Sequence, residues 1–474
     1  MKKFFKTLIV YFFGNAFSRL VSFVFLLPLQ TKYCSDAQIG TVDLINTLIT
    51  VIIPVLCIEV WTGILRYIYD YKSLKNKERV ISTGLIINLM CFILFTLCFL
   101  LASVIFHIPY AIYIYFFAVG YMLNSTWSYI ARGLGYNTVY VFSGAIGSIL
   151  SLILHLTLLA TSTAKVESLL LCYTASYLGP FLFMECFVRV HRRFSPKKVN
   201  GPLFKQMLLF CLPLSVNSVS YWLTNSFNRV VIRGLLGPSM NGQFAIASKF
   251  TMIIMLIVTV FNLAWAETAY AMNSDKERAK KYSMVLKYYN RFIGCGVLLL
   301  IPFTLLIFPW MIRGGDYSIG KEILPTYYLA TFLSTLASFM GGILQAEKDT
   351  KFLFSSAMWG SGVSVVSLLT LMPLMQKFTP SINPLYAATV SLLLSFGITA
   401  ALRVRFSKRT MGVRFDYRFL FAYLPVFLVG WVIFQTGILW LNLVYFLLAG
   451  LFALFLMREM IGMVFSRVTA RFKR

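Results

Sequence analysis

The sequence predicts an all-α integral membrane protein with about 14 transmembrane helices, and three observations carry that prediction. Of its 474 residues, 59% are hydrophobic and only 12% charged, against roughly 25% charged in an ordinary soluble chain. The mean hydropathy is +0.78, and apolar runs of about 20 residues, the length that crosses a bilayer core, recur from end to end. Those runs are continuous. The strands of a membrane β-barrel would instead show ten-residue alternation, and only helices and closed barrels satisfy their backbone groups in lipid.

The elements follow in order. The first span, about Leu8–Leu29, starts from the basic MKKFFK and runs too far to be a cleaved signal peptide. Thr41–Leu65 follows the turn DAQIG, Val80–Ala102 follows a basic stretch, and Tyr110–Ile130 follows the turn His107-Ile108-Pro109. Thr138–Ala160 and Ser168–Val188 complete a first group of six. After the basic connection Arg189–Lys205 come Gln206–Arg233 and Gly242–Ala271, then Phe292–Ile312, Pro325–Gln345, Phe352–Met375 and Pro384–Leu402. A further basic connection, Arg403–Arg418, precedes the last pair. That pair, Phe419–Phe434 and Ile438–Met457, is divided only by Gln435-Thr436-Gly437. Prolines inside spans, such as Pro28, Pro54, Pro180 and Pro213, are tolerated kinks.

Lys and Arg outnumber Asp and Glu by 43 to 16, a net charge of +27. On a soluble chain that excess suggests nucleic acid. Here alternate connections hold 34 and 5 of the 43 cations, which the positive-inside rule explains with both termini in the cytoplasm. No nucleic-acid partner is needed. The basic connections would lie on anionic membrane lipids.

The eight cysteines have no paired spacing, and with three scattered histidines they suggest neither a disulfide framework nor a metal site. No GxxxxGK[ST] is present, so ATP hydrolysis by this chain is not expected. External connections are too short for a catalytic domain.

The second group of spans repeats features of the first. Phe5-Lys6 opens the first span and Phe204-Lys205 the seventh; the turns reach Gly40 and Gly242; Trp61 and Trp265 follow. Six spans per repeat is even, so both halves insert alike and are expected to be related by a pseudo-two-fold axis along the membrane normal. The expected divisions are an N-lobe over 1–190, a basic linker over 191–205, a C-lobe over 206–406, the last two helices over 418–458, and a basic tail over 459–474.

Topology leaves four cations inside or at the ends of spans: Arg19, Arg229, Arg233 and Lys249. A bare cation in hydrocarbon is costly and marks a cavity, a partner or a visiting anion. Arg233 is close enough to the outer surface to snorkel. Arg19 is mid-span. Arg229 and Lys249 lie at similar depth on neighbouring helices, where they would repel unless an anion joins them. Among the acids, Asp43 is the expected partner of Arg19 or a protonation site, and Glu185 the expected partner of Arg189. Glu59 and Glu267 fall near cytoplasmic ends. Asp43 and Glu267 are the candidates for counter-ion or for H+ or Na+ coupling; no other cofactor is implied.

The first hairpin, GNAFSRLVSFVFLLPLQTKYCSDAQIGTVDLINTLITVI, and the seventh–eighth, LPLSVNSVSYWLTNSFNRVVIRGLLGPSMNGQFAIASKF, resemble the polysaccharide transporter, or Wzx-type flippase, family. That family sits in the multidrug/oligosaccharidyl-lipid/polysaccharide (MOP) exporter superfamily. The resemblance implies two six-helix lobes around a central cationic cavity, plus two C-terminal helices. It implies a flippase that moves undecaprenyl-diphosphate-linked oligosaccharide, such as an O-antigen, lipopolysaccharide, capsule or exopolysaccharide repeat unit, across the bacterial inner membrane by alternating access. Other glycan-assembly proteins are implied partners. By position Arg19, Arg229 and Lys249 resemble the cavity cations of such proteins. Where relatives often carry Asp before the seventh-helix arginine this chain has Asn228, which leaves Arg229 without a built-in counter-ion. The competing readings are a drug or metabolite antiporter of the same superfamily and an integral-membrane glycan polymerase or ligase.

Overall fold

A computed structural model describes residues 18–272, 277–315, 317–347 and 349–472. Helix accounts for nearly all of the regular structure, with no strand among the described residues. The chain forms two compact units, Met1–Ala245 and Ile246–Arg474.

In the first unit, the first span holds a π-helical turn at Ser22–Leu26 leading into α1 (Leu27–Tyr33), with Pro28 near its start. The second span is in two pieces, α2 (Asp36–Leu56) and α3 (Val60–Tyr69), because Ile58 and Glu59 take positive φ values of 44° and 49°. Next come α4 (Leu74–Phe106), α5 (Ala111–Gly133), α6 (Asn137–Thr161), α7 (Lys165–Val188), the one-turn α8 (Val190–Arg193) and α9 (Gly201–Asn225). Helix α7 packs on α5, α6 and α2, whereas α9 packs on α2 and α3. The outward face of α4 is a ladder of exposed apolar residues that includes Leu89, Ile93, Leu97, Leu101 and Val104. This is the pattern of a helix facing lipid rather than water.

Helix α10 (Phe227–Met272) contains a break at Gly237, with φ 88° and ψ 178°, directly before Pro238. Glycine supplies the turn and proline starts the helix that follows. The division between the two units falls inside α10, after Ala245.

The second unit continues with α11 (Arg278–Met311), the short α12 (Ser318–Glu322), α13 (Leu324–Ala346), α14 (Thr350–Phe378), α15 (Leu385–Met411), α16 (Tyr417–Thr436) and α17 (Leu439–Phe472). Helix α15 packs between α13 and α14, and α11 packs on α13, α16 and α17. The expected division at Gln435-Thr436-Gly437 lies between α16 and α17.

Eleven helices among the described residues are long and apolar enough to cross a membrane. Three of the expected spans are not among them. The start of the first lies outside the described residues. Helix α5 carries Asn124, Ser125, Thr126 and Ser128 and is more polar than its neighbours, and the side chains of part of α9 lie outside the described residues.

Two sequence expectations need correcting. Arg403, assigned above to a basic connection, is buried on α15; it donates to Ala337 O at 2.7 Å, Ser356 Oγ at 2.9 Å and Leu353 O at 3.3 Å. Carbonyl dipoles solvate this cation. Glu185, expected to face Arg189, instead accepts from Trp127, the His191 ring, and the backbone N–H groups of Val190 and His191. Arg189 takes a positive φ of 52°, which turns the chain and brings those two N–H groups back onto the carboxylate.

Candidate functional site

Residues of the first hairpin and of the seventh–eighth converge in the first unit on a seam along one face of α2. Ser35 caps that helix with a full capping box: its hydroxyl accepts from Gln38 N, and Gln38 Oε1 accepts from Ser35 N. Residues Asp36, Gly40, Asp43 and Thr47 then recur at spacings of four, three and four, which is one side of an α-helix. Each meets α9 or α10.

At the Asp36 end, Ser239 donates to the Asp36 carboxylate and Gln243 Nε2 approaches the same oxygen at 3.4 Å. The carboxylate thus sits by the start of the Pro238 helix, where the helix dipole favours negative charge. One turn on, Gly40 and Gly242 pack backbone to backbone. A Cβ on Gly40 would overlap the Pro238 carbonyl and lie 2.5 Å from Gly242 N, and one on Gly242 would overlap the Asp36 carbonyl. Asn241 Nδ2 donates to Gly40 O at 2.6 Å and bolts the contact.

Asp43 is the next element of the seam. The sequence offers Asp43 as a partner of Arg19 or a protonation site; in the structure its Oδ2 lies 2.7 Å from Arg229 Nε. The two side chains are only 19% and 14% exposed. Arg229 also donates to Asn225 O at 3.3 Å and lies over the Phe244 ring at 5.6 Å. It therefore does have a counter-ion, supplied from the second span instead of from position 228. The break at Ser226 makes this geometry: α9 ends there, α10 restarts at Phe227, and Arg229 falls in the first turn of a new helix. Trp222 Nε1 donates to Thr47 O at 3.0 Å one turn further along. At the break in the second span Glu59 accepts from Ser218, and beyond it Tyr67 donates to Gln206 O at 3.3 Å.

Beside the seam is a cavity of about 420 Å³ among the first span, α5, α6 and α7. Its lining is hydroxyl- and amide-rich and holds no Lys, Arg, Asp or Glu among the described residues; Ser18, Gln30, Asn124, Ser151, His155 and Tyr173 are representative. The π-helical turn Ser22–Leu26 contributes Ser22 and Leu26 to the wall. His155 is buried, with Nδ1 2.7 Å from Ser151 O and Nε2 3.0 Å from Gln30 Nε2. A carbonyl only accepts, so Nδ1 carries the proton and Nε2 accepts from the amide, the neutral tautomer. Asn124 Oδ1 is buried without a hydrogen-bond partner among the described residues.

Of the remaining site candidates, Arg19 adjoins the cavity-lining Ser18 and is half-buried. Lys249 is half-buried on α10 and belongs to the second unit. The Glu267 side chain lies outside the described residues. Arg233 lines a separate apolar groove in the first unit. Among the described residues no cluster of three or more His, Cys, Asp or Glu has metal-binding geometry. The cavity was missed in the sequence because its serines are scattered over four helices. The available signals were the unusual polarity of α5 and the one-faced series Gly144, Ser148, Ser151 and His155 on α6.

No protein-family model matches the chain. No curated protein sequence matches it either. Solved structures match in fold. The lipid II flippase MurJ, in an inward closed conformation, superposes with a TM-score of 0.67 at 16% identity over 96% of this chain and 100% of that one. An inward-facing multidrug resistance MATE family transporter of the MOP superfamily gives a TM-score of 0.64 at 16% identity over 84% and 96%. A MOP superfamily transporter from Pyrococcus furiosus gives 0.57 at 15% identity over 85% and 96%. This multi-pass membrane protein therefore has the all-helical fold of MOP superfamily transporters.

Proposed function

We propose that this chain is a flippase for an oligosaccharide carried on undecaprenyl diphosphate, moved across the bacterial inner membrane by alternating access with both termini in the cytoplasm. The observation that carries the reading is the uncharged, hydroxyl-lined cavity of about 420 Å³. Serine hydroxyls, amides and tyrosine rings match the alternating hydroxyl and C–H faces of a sugar, and among the described residues the lining offers no carboxylate for a cationic drug. The fold likeness to a lipid II flippase, which takes in nearly all of this chain, supports a lipid-linked substrate.

In this reading Arg19, Arg229 and Lys249 are each proposed to meet the diphosphate during the cycle, Arg229 on leaving Asp43. Asp43 and Glu267 are the sites for any proton or sodium coupling. The α2 seam closes one side of the pathway and parts during the cycle. O-antigen, capsule and other exopolysaccharide repeat units are all chemically suitable cargo, and the proteins that build and polymerise them are the natural partners. The fold likeness to MATE transporters favours drug or metabolite antiport as the second reading.

The test is complementation of a bacterial strain lacking its own flippase, with surface glycan as the readout and membrane level of the protein as control. Wild type should restore glycan, and Arg19→Ala and Lys249→Ala should each abolish it at normal membrane level. Full rescue by both variants would reject the cationic site. Drug resistance without any glycan rescue would favour antiport. Identification of the lipid-linked glycan that accumulates when the gene is deleted names the cargo.

A further inference from the structure

The first unit has a second recess, unlike the hydroxyl-lined cavity in every chemical respect. It is an apolar groove of about 450 Å³ between α2, α4 and α5, walled by residues such as Leu44, Leu48, Ile52, Phe99 and Ile114. It follows α2 from Thr41 to Leu56, about 22 Å at the helical rise. One leaflet of hydrocarbon is roughly 15 Å deep, so the groove is long enough for one lipid chain lying along the bilayer normal.

Arg233 is the only Lys or Arg in its lining among the described residues, and that lining contains no Asp or Glu. Its guanidinium is half-buried, and among the described residues no ion pair or hydrogen bond engages it. Its level along the groove follows from its neighbours. Arg229 pairs with Asp43, and Arg233 is one helical turn closer to Gly237, whose following residues pack on Gly40. Arg233 is therefore at the Thr41 end, where the Ile108-Pro109-Tyr110 turn also joins the wall. A cation at one end of a hydrocarbon-sized groove is the charge and shape complement of a phosphate-bearing lipid. Arginine suits this role because its planar fork binds two phosphate oxygens at once, while its stem packs on the apolar wall.

We propose that this groove is a binding site for an anionic glycerophospholipid of the surrounding membrane, with one acyl chain laid against Leu48 and Ile52 and the phosphate on Arg233. The site is distinct from the transport cavity and does not depend on what the protein transports. It gives Arg233 the counter-ion that no described residue provides.

The experiment is native mass spectrometry of the purified full-length protein released from nanodiscs, titrated with phosphatidylglycerol, with diacylglycerol, which lacks the phosphate, or with a polyprenyl phosphate. Wild type should retain one phosphatidylglycerol in preference to diacylglycerol. Arg233→Gln should weaken phosphatidylglycerol binding by roughly tenfold, the scale of a lost charge-assisted contact, and Arg233→Lys should retain part of it. Leu48→Trp, which fills the groove and leaves the cation in place, should lower retention as well. Melting temperatures of all variants are measured in parallel, so a variant that unfolds is replaced by Ile52→Trp. Equal phosphatidylglycerol retention by wild type, Arg233→Gln and the groove-filled variant would overturn the proposal. So would stronger retention of the polyprenyl phosphate than of phosphatidylglycerol, because the occupant would then be a substrate-type lipid instead of a bulk one.

Discussion

Gly40 and Gly242 lie against one another with no room for a side chain on either, so the second span and the start of the Pro238 helix touch through their backbones. Neither glycine has a positive φ. The requirement at both positions is proximity, not backbone conformation. Close approach of this kind is how membrane helices gain packing energy without a hydrophobic driving force. It also brings Asp36 within reach of Ser239 and Asn241 within reach of the Gly40 carbonyl.

Substitution at this contact should therefore act by steric exclusion. Gly40→Leu would drive a side chain into the Pro238 carbonyl, and overpacking costs typically about 1–3 kcal/mol. The expected outcome is a lower melting temperature and lost glycan rescue. Gly234→Leu, on the same hairpin with open space around its Cβ position, should leave the melting temperature unchanged. Equal melting temperatures for the two variants would show that the contact is not closed in the resting protein.

The Asp43–Arg229 pair, one turn along the seam, should behave as a unit. Removing one partner of a buried pair leaves an uncompensated charge, so Asp43→Ala and Arg229→Ala should each destabilise more than half as much as the double variant. Partial exposure of both groups moderates the effect, and the coupling expected from a double-mutant cycle is about 1–3 kcal/mol. The measurement is chemical or thermal unfolding in detergent for the four proteins of the cycle. Strict additivity would mean that Asp43 does not balance Arg229.

How far this seam could be read from the sequence differs residue by residue. Gly40 and Gly242 stood out as matching turn positions, and the structure puts them in contact, because a repeated hairpin leaves the same small residue at the same depth twice. Arg229 stood out as a misplaced cation, but its partner did not. Spacing along a helix says which residues share a face and not which helix that face meets, so the sequence leaves Asp43 between pairing with Arg19 and a protonation role and does not point to Arg229. Arg403 was read as one more positive charge at a helix end. Its burial depends on Ala337 and Leu353 offering carbonyls from other helices, which no local pattern records. The number and apolar character of most spans were legible because bilayer thickness dictates both. Helix α5 remains legible as a span although it trades hydropathy for hydroxyl and amide groups.

The hydroxyl-lined cavity offers the sharpest separation of function from stability, through two glycines one turn apart on α6. A Cβ at Gly144 would meet only Ser18 Oγ, at 3.8 Å, whereas one at Gly147 would lie 2.7 Å from both Pro180 Cγ and Ser176 O. Both residues line the cavity. Gly144→Leu should therefore fill space that the substrate needs while costing less stability than Gly147→Leu, whose Cβ alone overlaps its neighbours. Gly147→Leu should destabilise the fold and lose activity for that reason. With surface glycan normalised to folded protein in the membrane, Gly144→Leu should show a deep loss of rescue at a melting temperature above that of Gly147→Leu. Undiminished rescue by a stable Gly144→Leu protein would remove this cavity from the transport path and leave its polar lining a matter of helix packing alone.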